Sequence, residues 1–116
     1  MSWLIAPRVR LRARYVRLVC VAAQYHAAAG DWARAVYTYE AGLDIEPCSE
    51  QLYQGLMQCL THAGLGAQNA DVYRRCERLL QSIEARAPSP QTQAVYAGLA
   101  HNGARTDLHP AVPGAH

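Results

Sequence analysis

The 116-residue chain contains no lysine and no phenylalanine, and only 17% of its residues are charged. Its formal net charge of +2 speaks against nucleic acid as a whole-surface partner. No apolar run approaches the roughly 18 residues of a membrane span. At the N-terminus, MSWLIAPRVRLRAR places its arginines after a very short apolar patch, whereas a secretory signal places them before a long one. Cys20, Cys48, Cys59 and Cys76 form no CxxC pair and no regular framework, so no disulfide is expected. Three of them fall within helical apolar patterns, where a free thiol behaves as a small hydrophobe. Reduced thiols and a cytoplasmic location follow as expectations. The phosphate-cradling GxxxxGK loop, GxSxG and HExxH are all missing, so neither catalysis nor a cofactor is expected.

What is present is a spacing. Gly30 and Gly64 lie 34 residues apart, as do Tyr39 and Tyr73. Thirty-four residues is the period of the tetratricopeptide helix–turn–helix unit. Such units cannot bury their apolar faces alone and stack into arrays that commonly hold other proteins. With 51% apolar residues, the chain is one domain able to form a core without metal or disulfides.

Apolar periodicity predicts a helix over 8–29, with Pro7 suited to its first turn. Leu11, Tyr15, Leu18, Ala22 and Tyr25 form one apolar line, and Val9, Val16, Val19 and Ala23 a second beside it. A helix apolar on two sides must be covered on both. Gly30 suits a helix C-cap and Asp31 the next N-cap. A second helix follows over about 32–45, stopped by Pro47. Ser49 is expected to cap a third over 50–63, which Gly64 and Gly66 end. A fourth helix spans 67–86, and Ser89-Pro90 opens a short fifth over 91–100. Residues 101–116 carry two prolines and two glycines and are expected to be a disordered tail, as 1–7 are expected to be a lead-in. Loops of two to five residues imply antiparallel neighbours. The expected architecture is all-α: two tetratricopeptide-like antiparallel hairpins plus a closing helix, of the right-handed α-solenoid type.

Four segments resemble the bacterial transcriptional activator domain, the tetratricopeptide-like module that follows a winged-helix DNA-binding domain in the antibiotic regulatory proteins of Streptomyces. WLIAPRVRLRARYVRLV at 3–19 is similar to the family's arginine-rich opening helix, and AAGDWARAVYTYEAGLDIEP at 28–47 to its first hairpin. SEQLYQGLMQCLTHAG at 49–64 carries the Glu-x-Leu-Tyr-x-x-Leu-Met run at Glu50, Leu52, Tyr53, Leu56 and Met57. VYRRCERLL and PSPQTQAVYAGL resemble the closing elements. The resemblance implies a regulatory protein–protein interaction module of a bacterial transcription regulator. Its expected work is dimerisation or contact with partner domains or transcription machinery. The alternative is a stand-alone tetratricopeptide adaptor unrelated to transcription. Asn69 departs from the family, which usually has alanine at this helix crossing; a buried amide there must find a partner or loosen the packing. The DNA-binding domain of such regulators would precede Trp3, so the chain is expected to be either an excised domain or a module that stands alone. No helix-turn-helix chemistry is assigned to it.

Among candidate sites, the face lined by the first helix of each hairpin would present Arg17, Gln24, Gln51, Gln54, Gln58 and His62. Such a groove can hydrogen-bond a peptide; an ordinary wet surface fits it equally. Paired basic and amide residues, needed to clamp a peptide carboxylate, are missing at Cys20, Gln24 and Gln54. Trp3, Val9, Arg10, Arg14 and Val16 are candidates for self-association or interdomain contact. The arginines at 8, 10, 12, 14 and 17 read as a solvated face, a partner contact or, least of all, a nucleic-acid strip, since no aromatics interleave them. Cys59 and His62 share a helix but are too few for structural zinc, so no metal is expected.

Overall fold

The computed structural model describes residues 2–108, with side chains from 9 to 101. Five helices follow in order: α1 (Ser2–Ala28), α2 (Trp32–Ile45), α3 (Glu50–His62), α4 (Asn69–Glu84) and α5 (Pro90–Leu108), with a 3-10 turn at Gly66–Gln68. The described residues contain no strand, so the chain is all-α.

Local chemistry accounts for most boundaries. Gly30 (φ 79°) and Gly64 (φ 82°) occupy the left-handed conformation that ends α1 and closes the turn after α3. The Asp31 carboxylate accepts the Arg34 N–H at 3.1 Å and caps α2. Ser49 stands at the N-cap of α3, but its side chain makes no capping bond, contrary to expectation. Ser89 does cap α5, accepting the Thr92 N–H at 3.4 Å. Both ends of α4 lie two residues inside the expected 67–86, and α1 and α5 differ more at one end each. α1 starts at Ser2, so residues 2–7 are helical rather than a lead-in and Pro7 falls in the second turn. α5 runs on through 101–108, where a tail was expected. Gly103 lowers helix propensity without ending the helix. Residues 109–116, the rest of the expected tail, lie outside the described residues. α4 begins at Asn69 because Gly66–Gln68 first form the tighter turn.

α3 is the hub, packing against α1, α2, α4 and α5. Its Leu52, Tyr53, Leu56 and Met57 are fully buried, joined by Val19, Ala23, Ala35, Tyr39, Leu43, Val72, Cys76 and Leu80. Two glycines permit the approach of helices. A Cβ on Gly42 would stand 2.8 Å from a Val19 methyl, and one on Gly55 would overlap the Tyr39 ring. The Tyr53 hydroxyl donates to the Pro47 carbonyl at 2.7 Å. Arg75 bridges elements, pairing with Glu40 at 2.8 Å and lying 5.6 Å from the Tyr53 ring centre. Tyr39 is buried against Gly55, whereas its counterpart Tyr73 stacks on Tyr96 of α5 at 4.4 Å.

The two apolar lines of α1 are used differently, although Tyr15 of the first also packs on the core and Val9 of the second is exposed. Val16, Val19 and Ala23 pack into the core, with Cys20 beside them. Leu11, Leu18, Ala22 and Tyr25 face solvent. The small residues win the inside because α1 must approach α2 closely at Gly42.

Candidate functional site

The six candidate groove residues divide between α1 and α3. Arg17 and Gln51 meet in a cleft of about 390 Å³ between these helices, with Arg12, Ala13, Val16 and Ser49. Gln51 and Gln54 line a neighbouring cleft of about 460 Å³ with Glu50, Ser89 and Gln91. The face thus continues from α1 across α3 to the start of α5. Gln24 and Gln58 are exposed but line neither cleft. His62 leaves the groove: its ring stacks on Trp32 of α2 with centres 5.0 Å apart, and its Nδ1 lies 2.9 Å from the Gln58 carbonyl. Arg12 joins Arg17 in the first cleft and makes it basic.

Between the groove and the core lies a polar lock that sequence reading missed. Glu50, in the first turn of α3, reaches the N-terminus of α5. It accepts the Thr92 hydroxyl at 2.6 Å, the Ser89 N–H at 2.8 Å and the Arg86 guanidinium at 2.6 Å. Gln54 Nε2 adds a 2.8 Å bond to the Thr92 oxygen. Burial alone would raise the Glu50 carboxyl; the Thr92, Arg86 and Ser89 donors outweigh it and hold it at about 2. Arg86, bonded to Glu50 and Glu84, is pushed up and stays charged. Glu50 and the Ser89-Pro90-Gln91-Thr92 turn therefore act together to dock the closing helix. A glutamate matched to a capping serine 39 residues later is the only signal the sequence held.

Of the self-association candidates, Val9, Arg10 and Arg14 are exposed. Val16 is not free for a partner; it is half-buried and packs on the core because α1 turns that line inward. The Trp3 side chain lies outside the described residues. Arg12 pairs with Glu46 at 3.6 Å, tying α1 to the end of α2.

Burial pushes the thiols of Cys20 and Cys59 up, and that of Cys76 to about 12, which suits packing rather than nucleophilic chemistry. Cys59 points inward while His62 sits on the surface, and among the described residues no His, Cys, Asp or Glu cluster is arranged to hold a metal. Among the described residues no helix is long and apolar enough to cross a membrane.

The described residues thus form a helical domain with an internally docked closing helix and an open polar face. A family model described as the bacterial transcriptional activator domain matches residues 1–99. The chain belongs to that family. No curated protein and no solved structure matches it.

Proposed function

We propose that this domain is the protein-interaction module of a bacterial transcriptional regulator, and that a segment of a partner protein docks along the polar face of α1, α3 and α5. Its helices are read as two tetratricopeptide-like hairpins in right-handed succession, closed by α5. The observation that carries this reading is the pair of clefts that share Gln51, one with Arg17 and one with Gln54, set on a scaffold whose closing helix is held by Glu50. Backbone carbonyls and carboxylates of an extended segment are the natural complements of amide and guanidinium side chains. The partner is another regulator domain or a component of the transcription machinery, met in the cytoplasm. Direct nucleic-acid binding and catalysis form no part of the proposal.

Tethering the 116-residue chain to a heterologous DNA-binding domain tests the reading. Reporter output from a promoter bearing the matching operator is expected to exceed that of the DNA-binding domain alone. Equal output from the two fusions would contradict it.

A further inference from the structure

The outward side of the first hairpin is apolar and bare. Leu11 (63% exposed), Leu18 (68%), Val21 (59%) and Tyr25 (73%) lie on α1, and Tyr37 (72%) and Ile45 (62%) on α2. A groove of about 310 Å³ runs between the helices, lined by Tyr15, Leu18 and Ala22 on one side and Tyr37, Thr38 and Ala41 on the other. Single exposed hydrophobics need no explanation, but six along one hairpin make a patch of the kind that marks an interface.

The 34-residue spacing tells what geometry this face fits. Leu18, Ala22 and Tyr25 stand where Leu52, Leu56 and Cys59 stand in the second hairpin. Those three are buried, and Leu52 presses on α2 at Gly42, where an added Cβ would come within 3.1 Å of its methyl. Positions used by the second hairpin to stack on the first are therefore uncovered on the first hairpin itself. Helical stacks need a polar outer face at their ends to remain soluble. This end has an apolar one.

We propose that this face is covered by the same face of a second copy, the two α1–α2 hairpins stacking about a two-fold axis. The inference rests on reading the domain as an interaction module built from stacked hairpins. Two observations select a second copy. The six side chains offer on the order of 700–800 Å² of exposed surface per chain, taking 150–250 Å² for a whole aromatic side chain. That is the roughly 800 Å² per partner of a standard stable interface. The charges are also self-complementary. From Val9 to the end of α1 the helix carries Arg10, Arg12, Arg14 and Arg17 and no carboxylate, whereas Asp44 lies exposed on α2, one turn of helix beyond Ala41. Laying α1 of one copy over α2 of its partner brings arginines toward Asp44, while α1 over α1 would oppose arginines. The isologous arrangement closes at two copies and hides both apolar ends at once.

Sedimentation equilibrium of the 116-residue chain tests this from about 10 nM to about 200 µM, since interfaces of this size dissociate at micromolar concentration or below. The expected result is a shift from the 12.7 kDa monomer to twice that mass. Leu18→Glu and Tyr37→Glu, on opposite walls of the groove, should each weaken the dimer by at least about 30-fold. Leu65→Glu, exposed at the turn after α3, should leave it unchanged. Circular dichroism of each variant separates loss of the dimer from loss of fold. A folded wild type that stays monomeric throughout overturns the inference, as does a dimer that survives both groove variants. Because mass is read on the purified chain, either result leaves the reporter measurement standing. A silent reporter equally leaves a dimer intact.

Discussion

Replacing Glu50 by glutamine keeps the size of the side chain and removes its charge. In the native protein the carboxylate holds three donors from the turn before α5 and from α5 itself, and its carboxyl sits at about 2 against an ordinary 4.5. Such a difference is worth roughly 3 kcal/mol at neutral pH, an upper figure because the Arg86 end is partly exposed to water. The sign follows from proton binding: between these values the unfolded chain takes up a proton that the folded chain does not. The stabilisation is therefore complete above pH 4.5 and is lost as pH falls through about 2. Glu50→Gln should cost about 2–3 kcal/mol at pH 7, lowering the melting temperature by on the order of 10 °C. Urea denaturation followed by circular dichroism at pH 7, and at steps from pH 5 to 2, measures both effects. The variant should also show faster amide exchange in the first turns of α5 while α3 remains protected. Identical loss of stability in the two proteins between pH 5 and 2 would refute the lock.

Three further substitutions and one chemical probe follow from the packing. Ala85 ends α4 at φ 54°, a conformation that glycine adopts without strain, so Ala85→Gly should stabilise by about 0.5–1 kcal/mol in thermal denaturation. Gly55→Ala forces a methyl into the Tyr39 ring and should destabilise by about 1–3 kcal/mol, with Tyr39→Leu in the same chain recovering part of the loss. Asn69 donates to the Thr61 hydroxyl at 2.8 Å, but its Oδ1 is buried without a partner; Asn69→Ala should be neutral or stabilising by up to about 1 kcal/mol in urea denaturation. A disulfide reagent should modify one thiol in the native protein, the half-buried Cys48, and all four after denaturation.

The legible parts of the fold are those set by near neighbours in sequence. Asp31 and Pro47 bracket α2, and the expected 32–45 is the span observed. Ser89-Pro90 marks the start of α5 for the same reason. The inner face of α1 was not legible, because both of its lines are apolar and the choice between them depends on Gly42 in another helix. The two prolines and two glycines of 101–116 suggested a tail, yet Gly103 is a tolerated cost inside a helix that reaches Leu108. At the candidate site, periodicity gathers Gln51, Gln54 and Gln58 on one side of α3. It could not foresee that Trp32 would draw His62 away, or that Glu50 would meet Ser89 and Thr92 across 39 and 42 residues. Asn69 illustrates both sides: its need for a partner was readable, and the identity of Thr61 as that partner was not.

Promoter output from the tethered chain, compared with that of an Arg17→Ala, Gln51→Ala, Gln58→Ala variant, bears most directly on the interaction face. All three side chains are exposed, and none takes part in the Glu50 lock, so the variant should melt within about 1 kcal/mol of the wild type. A folded variant with output reduced to that of the DNA-binding domain alone is the expected result. Undiminished output from that variant would contradict the assignment of the α1–α3–α5 face as the partner surface.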